Sequence, residues 1–255
     1  MITIKTDEEI EVLRQGGRIH SAILRQIAEK VASGVSTKGL DDYARKLIKE
    51  AHVKPAFLGY RPEGARKPYP AALCVSINDE IVHGIPNDSP AVLKEGDIVS
   101  LDLGLIYQGL ITDAALTVGV GKISHEDQTL IRATKEALTA GISSAKEGST
   151  IGDIGHAIQS VAKKYNFNIV EGLSGHGVGY KVHEEPYVPN TGIPSRGPIL
   201  KDGMVLAIEP MFVKGKSAIV LDKDGYTYRT RDGKKAAHFE HTVVIDGAES
   251  IILTA

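Results

Sequence analysis

The chain has 255 residues, 42% hydrophobic and 24% charged, with Gly 27, Pro 11, His 9, a single Cys and no Trp. A chain of this length buries about three quarters of its unfolded surface without covalent staples, and the lone Cys74 excludes a disulfide framework and any Cys-rich zinc site. Lys+Arg 30 against Asp+Glu 32 gives a net charge of -2, without the basic footprint of a sequence-specific nucleic-acid binder. Apolar runs such as Met204 to Ile208 stop after about five residues, far short of the roughly 20 of a membrane span. The opening Met1 to Glu9 has no apolar signal core, so the expected location is cytoplasmic.

In chain order, Thr6-x-x-Glu9 has capping-box form, and Ile10, Leu13, Gly17, Leu24, Ile27 and Val31 keep helical spacing, which predicts a helix from about residue 7 to Ser33, ended by Gly34. A second helix is expected from Thr37 through Ala51, followed by a Pro- and Gly-rich polar loop over 55–70. Strands are predicted at Leu73 to Ile77, Ile98 to Tyr107 and Leu110 to Val120, with Gln108-Gly109 as the turn between the last two. Ser124-x-x-Asp127 then caps a helix to about Lys146, and Thr150 opens another through Tyr165. The remainder reads as strand and loop.

Ser36-Thr37-Lys38-Gly39 and Ser149-Thr150-Ile151-Gly152 share a form, and each separates two helices. Recurrence of Ser, Thr and Gly at helix starts explains the four letters equally well. The shared order of helix, helix, then strands favours duplication. The expectation is one α+β domain over 1–255, with halves of roughly 1–122 and 123–255, a common sheet, and helices covering one face.

Asp102, in Ser-Leu-Asp-Leu-Gly, and Asp113, in Leu-Ile-Thr-Asp-Ala, are acids inside apolar strands and need partners. A two-residue hairpin loop puts them opposite or diagonal on one face; a three-residue loop separates them. Gly175-His176-Gly177 leaves an imidazole accessible between residues without side chains, and lacks the spacing of a phosphate cradle. Glu209 and Glu240 are again acids in apolar strands. Any one of these is explained as a salt-bridged core acid. Together, Asp102, Asp113, His176, Glu209 and Glu240 form a hard, oxygen-dominated set whose mutual repulsion two divalent ions would neutralise. Such a set suits Mn, Fe or Co and tolerates Zn. Paired metals about 3.5–4 Å apart that activate a shared water predict a hydrolase.

His83 and His183 lie beside Gly or Pro punctuation and are expected to line a pocket. His20, His52, His125 and His156 fall on helices or helix ends and read as surface or hydrogen-bonded residues; His238 and His241 flank Glu240 and read as groups that orient it.

His83-Gly-Ile-Pro86, Ser100-Leu-Asp102, Asp113, Gly175-His176-Gly-Val-Gly179, His183-Glu-Glu-Pro186, Ile208-Glu209-Pro-Met211 and Glu240-His-Thr242 stand in an order and spacing that resemble the type I methionine aminopeptidases over nearly the whole chain. The resemblance implies the pseudo-symmetric pita-bread α+β fold, a central antiparallel sheet with helices on one face. It implies removal of the initiator Met from nascent chains whose second residue is small, with two divalent ions (Co, Mn, Fe or Zn) on the five ligands above. By resemblance, Glu209 is the general base, His183 bonds the carbonyl oxygen, and His83 contacts the scissile nitrogen. Phe57, Tyr60, Tyr69 and Tyr226 would wall the methionine side-chain pocket, with Cys74 nearby.

Departures from the family are Ala114-Ala115 after Asp113, where a hydroxyl residue is usual, Val182 before His183, where an aromatic is common, and a longer, more basic segment from Arg61 to Lys67. Related readings are a proline-specific aminopeptidase or dipeptidase, for whose added N-terminal domain there is no room, and a non-catalytic relative, which would have lost ligands. Near-neutral charge and self-sufficient length suggest a monomer. Nascent-chain substrates suggest ribosome proximity, with Arg61 to Lys67 as the candidate contact.

Overall fold

The architecture starts from capped helices and one long hairpin. In the computed structural model, which describes residues 1–62 and 64–255, α1 (Asp7–Ala28) opens with the expected capping box, Glu9 N donating to Thr6 Oγ1 at 3.3 Å and Thr6 N to Glu9 Oε2 at 2.9 Å. The helix ends at Ala28, short of the expected Ser33. Lys30 N and Val31 N bond carbonyls three residues back, and Gly34 N turns away to Leu93 O, so the chain unwinds to meet the strand-like segment near Val92. After it come α2 (Thr37–Glu50), β1 (Lys54–Pro55), β2 (Leu73–Ile77), β3 (Glu80–Val82), β4 (Ile98–Tyr107) and β5 (Leu110–Gly119). The pattern then restarts with α3 (His125–Ser144) and α4 (Ile151–Tyr165). Short strands follow: β6 (Asn168–Ile169), β7 (Ser174–Gly177), β8 (Glu184–Pro189), β9 (Val205–Ile208), β10 (Met211–Val213), β11 (Ile219–Leu221), β12 (Tyr228–Thr230), β13 (Ala236–His238), β14 (Glu240–Asp246) and β15 (Glu249–Ile252).

The large sheet runs β1-β4-β5-β14-β9-β7-β8, with β2 also on β4 and β15 also on β14. Reading outward from the β5–β14 contact gives β5, β4, β2 on one side and β14, β9, β7 on the other, so the two halves present their strands in mirrored order. The helices that precede them correspond too, but the capping residues are Ser36 and Thr150, one position away from the register suggested by the shared letters. Both caps also form an isolated bridge to a later segment, Ser36 with Val92 and Thr150 with Ile199.

Alternation sorts the strands. Val99, Leu101, Leu103 and Leu105 of β4 pack with Ile23, Leu24 and Ile27 of α1 and Leu40, Ala44 and Leu47 of α2. Leu206, Ile208, Val243 and Ile245 do the same under α3 and α4. The other face carries Cys74, Ile111, Val205, Ala207 and Val244, closed by Phe57, Tyr69 and Tyr226 from the loops. Two three-stranded sheets, β13-β10-β6 and β11-β12-β3, complete the chain. None of the described helices is long and apolar enough to cross a membrane.

Candidate metal centre

The β4–β5 hairpin closes through Gln108 and Gly109, at φ 47 and φ 86, with Tyr107 paired to Leu110. This is the two-residue turn that positive φ at both central residues favours. Its register pairs Asp102 with Ala115 and Gly104 with Asp113, so the two aspartates lie diagonally on one face. Gly104 matters for space: a Cβ there would approach Phe57 to 2.6 Å, and its absence lets that ring lie beside the acids. Across the seam Glu240 pairs with Ala115, and on β7 His176 pairs with Ala207. The glycines around His176 permit tight strand packing, because a Cβ on Gly175 would meet Ala207 O, and one on Gly177 would meet Glu185 O, both at 2.3 Å.

The cleft, with about 590 Å³ of free space including the open solvent at its mouth, is lined by Asp102, Asp113, His176, Glu209 and Glu240, by His83 and His183, and by Phe57, Tyr60, Tyr69 and Tyr226. The structure therefore brings together every site residue nominated from the sequence, with Cys74 and Val182 beside them. Pro62 and Val82 line it as well; neither carries a chemical group that sequence reasoning could have singled out.

Ligating atoms of Asp113, His176 and Glu240 lie within 4.8 Å of one another. His176 Nδ1 donates to Gly177 O at 2.9 Å, which leaves the Nε2 lone pair facing Glu209 Oε1 at 3.4 Å. His238 Nε2 stands 3.4 Å from Glu209 Oε2 and 3.9 Å from Glu240 Oε2. These are not ion pairs, because burial lowers His176 to about 3 and His238 to about 4, holding both imidazoles neutral. Burial first, then neighbouring acids, raises the carboxyls of Asp113 and Glu240; desolvation raises that of Glu209 and pushes Asp102 up to about 7. Asp102 Oδ1, Asp113 Oδ1 and Glu240 Oε1 are buried without a hydrogen-bond partner. Lone pairs that face one another across unpartnered, desolvated oxygens need protons or cations between them. This donor set, four carboxylates and one imidazole, fits hard divalent ions.

Around this core, Tyr60 OH lies 2.9 Å from His183 Nδ1, and the His183 ring meets His176 edge-on at 4.5 Å. His83 has φ 60, an uncommon conformation for a non-glycine residue that aims its ring toward Tyr228 at 6.0 Å. Tyr69 OH donates to Gly84 O at 2.8 Å, and its ring packs edge-on against Tyr226 at 5.2 Å. Asn190 Nδ2 donates to the Glu209 carbonyl at 3.0 Å and fixes the backbone of that acid.

Three expectations need correction or refinement. His241 does not orient Glu240: strand alternation turns it to the helix face, where Nδ1 lies 3.0 Å from Thr254 Oγ1. His20 is neither at the surface nor fully hydrogen-bonded; it is completely buried, Nδ1 meets Thr112 Oγ1 at 3.0 Å, and Nε2 has no partner. Of the two alanines after Asp113, Ala115 faces the cleft between Asp102 and Glu240, and the hydroxyl that contacts Asp113 comes from Thr242 instead.

The model of Metallopeptidase family M24 matches residues 11–247. A methionine aminopeptidase of Aquifex aeolicus is 49% identical over 99% of this chain and 98% of its own length. The crystal structure of methionine aminopeptidase from Thermotoga maritima superposes with a TM-score of 0.94 at 42% identity, covering 100% of this chain and 99% of that one. A prolidase from Pyrococcus furiosus shares the fold at TM-score 0.76 and 24% identity, with this chain spanning 65% of its length.

Proposed function

The chain belongs to Metallopeptidase family M24, and from that premise we propose that it is a methionine aminopeptidase, removing the N-terminal methionine from nascent chains whose second residue is small. The observation that carries this reading is the single cleft in which five metal-competent side chains stand against an aromatic pocket and two further histidines. The fold is the α+β pita-bread fold of that family. We take the chain as one catalytic domain over 1–255 whose halves, roughly 1–122 and 123–255, meet at β5 and β14, a division supported by the mirrored strand order.

Two divalent ions among Co, Mn, Fe and Zn, held by Asp102, Asp113, His176, Glu209 and Glu240, would supply Lewis acidity and an acidified water at neutral pH. Glu209, its carbonyl fixed by Asn190 and its carboxylate between two neutral imidazoles, is placed to accept the proton of the attacking water. Desolvation lowers His183 and favours its neutral ring, and with the Tyr60 hydroxyl donating to Nδ1 across 2.9 Å, Nε2 would carry the proton and donate to the developing oxyanion. Burial likewise lowers His83, to about 4, so it would meet the scissile nitrogen as a neutral ring. Phe57, Tyr60, Tyr69 and Tyr226, with Val182 and Cys74, offer an apolar slot for an unbranched thioether side chain.

Nascent N-termini as substrates support a cytoplasmic setting and proximity to the ribosome. The candidate contact is the segment from Arg61 to Lys67, in which Glu63 lies outside the described residues and Lys67 already pairs with Asp88 at 2.7 Å. A cleft completed within one chain supports action as a monomer. The test compares Met-Ala-Ser with Gly-Pro and Xaa-Pro peptides at equal metal loading. Cleavage confined to Met-Ala-Ser is expected, and preference for the proline peptides would overturn the assignment.

A further inference from the structure

β5 and β14 join the two halves of the sheet, yet their main-chain ladder covers only Glu240–Ala115 and His241–Ala114. Two residues to either side of the Glu240–Ala115 pair, threonine side chains take over from it. Thr242 Oγ1 accepts from Asp113 N at 2.8 Å and donates to Asp113 O at 2.7 Å. From the opposite strand, Thr117 Oγ1 accepts from His238 N at 2.9 Å and donates to His238 O at 2.8 Å. A hydroxyl has one proton, and Thr117 gives its own to the carbonyl, so Ser100 Oγ, 2.8 Å away, must donate to Thr117. Thr242 is braced in turn, its N donating to Thr254 Oγ1 at 3.1 Å.

Both threonines are buried, so each hydroxyl satisfies two main-chain groups that have no access to water. A side chain inserted where a direct N–H···O bond would otherwise run holds the backbones farther apart than the usual strand spacing of about 4.7–4.9 Å. The seam is thus paired directly at Glu240–Ala115 and His241–Ala114 and bridged by a hydroxyl beyond each end of that pairing. Asp113 lies at one hydroxyl-bridged point, and a cation held as proposed would sit between its carboxylate and that of Glu240, which come from opposite strands. The geometry points to Thr242 as a positioning residue for the metal centre: its hydroxyl fixes the Asp113 backbone, and with it the gap between Asp113 and Glu240. Thr117 is the same device at the other end of the seam, where it holds His238, a neutral imidazole that faces Glu209 Oε2 at 3.4 Å and Glu240 Oε2 at 3.9 Å without being a proposed ligand itself. This inference rests on the metallopeptidase reading above.

The mirrored pair supplies its own comparison, because Thr242→Val and Thr117→Val each remove a hydroxyl that bonds one N–H and one C=O of the facing strand. Each metal-stripped protein is titrated with Mn(II) by calorimetry, and its melting temperature is recorded without metal. Both valine variants should melt lower than wild type, Thr117→Val by more because the buried Ser100 Oγ loses its partner as well. Thr242→Val should lose Mn(II) affinity by about 10–100-fold, the scale expected when a group that orients a ligand is removed, and Thr117→Val, which reaches the acids only through His238, should lose clearly less. Thr242→Ser, which keeps the hydroxyl, should recover to within about threefold of wild type. Should Thr242→Val fail to fold, Thr254→Val, which loosens the brace while leaving the clamp, should weaken Mn(II) by a few fold. Unchanged affinity in Thr242→Val, or in its replacement Thr254→Val, or an equal loss in Thr117→Val, would overturn the inference. Absence of Mn(II) binding by the wild type would sink the metallopeptidase reading itself.

Discussion

The two faces of the large sheet are made from alternate residues of the same strands, and they are built on opposite principles. On β4, Leu101 and Leu103 go under the helices, fully buried among aliphatic neighbours, while Asp102 and Gly104 go to the cleft. The helix face is where burial stabilises the chain. The cleft face gathers carboxylates whose buried oxygens lack partners, an arrangement that costs folding free energy until cations arrive. Local rules are obeyed where the fold is held and broken where the chemistry is done.

Breaking the cleft face should give the largest effect. Glu240→Gln removes a ligand and should abolish Met-Ala-Ser cleavage at ordinary metal concentrations. It should also raise the melting temperature of the metal-free protein, because Gln is neutral without the proton that a buried Glu240 must take up on folding. A lower metal-free melting temperature would show that the acids stabilise the fold by themselves. Next, His183→Ala should lower kcat by about 10²–10³-fold with little change in KM, the usual result of losing one oxyanion donor. Near-normal turnover would refute its role. On the other face, Leu101→Ala should cost about 2–5 kcal/mol in urea unfolding while the folded fraction keeps its metal affinity; a matching loss of affinity would mean that the faces are not separable.

The smallest effect is in pH. Asp102, raised to about 7, and Asp113, Glu209 and Glu240, raised well above their ordinary range by burial, hold protons in the metal-free fold that the unfolded chain releases near pH 4. The folded state therefore binds more protons, and through Asp102 its stability should fall as pH rises from about 4 to about 7. Over the lower part of that window, up to about pH 6.5, the buried His83 and His238, held near 4, and His176, held near 3, refuse protons that the unfolded chain accepts, and so oppose the trend. Melting temperatures without metal should therefore decline most clearly from about pH 6.5 to 7.5, and saturating Mn(II) should remove that decline. A metal-free melting temperature that climbs through about pH 7.5 would contradict the assigned shifts.

What was legible in the sequence was what is local. The β4–β5 hairpin, its Gln108-Gly109 turn and the diagonal of Asp102 and Asp113 follow from period-two alternation and one turn type. The gathering of the four acids in one cleft was legible from charge, because acids in apolar strands repel one another unless cations or protons lie between them. What escaped notice depends on distant partners: His20 meets Thr112 at a separation of 92 residues, and the clamps of Thr117 and Thr242 reach across 121 and 129. His241 was recoverable, since strict alternation after Glu240 turns it away from the cleft. The early end of α1 was not, because its cause is the strand-like segment near Val92 that the chain must meet.

The most direct test of the central claim follows Met-Ala-Ser cleavage by metal-stripped protein during parallel titrations with Mn, Fe, Co and Zn, with bound metal counted by calorimetry. The cleft geometry predicts no cleavage in the stripped state, and activity that rises with occupancy of up to two ions per chain. Undiminished cleavage by the stripped protein, or stoichiometric binding without cleavage, would contradict it.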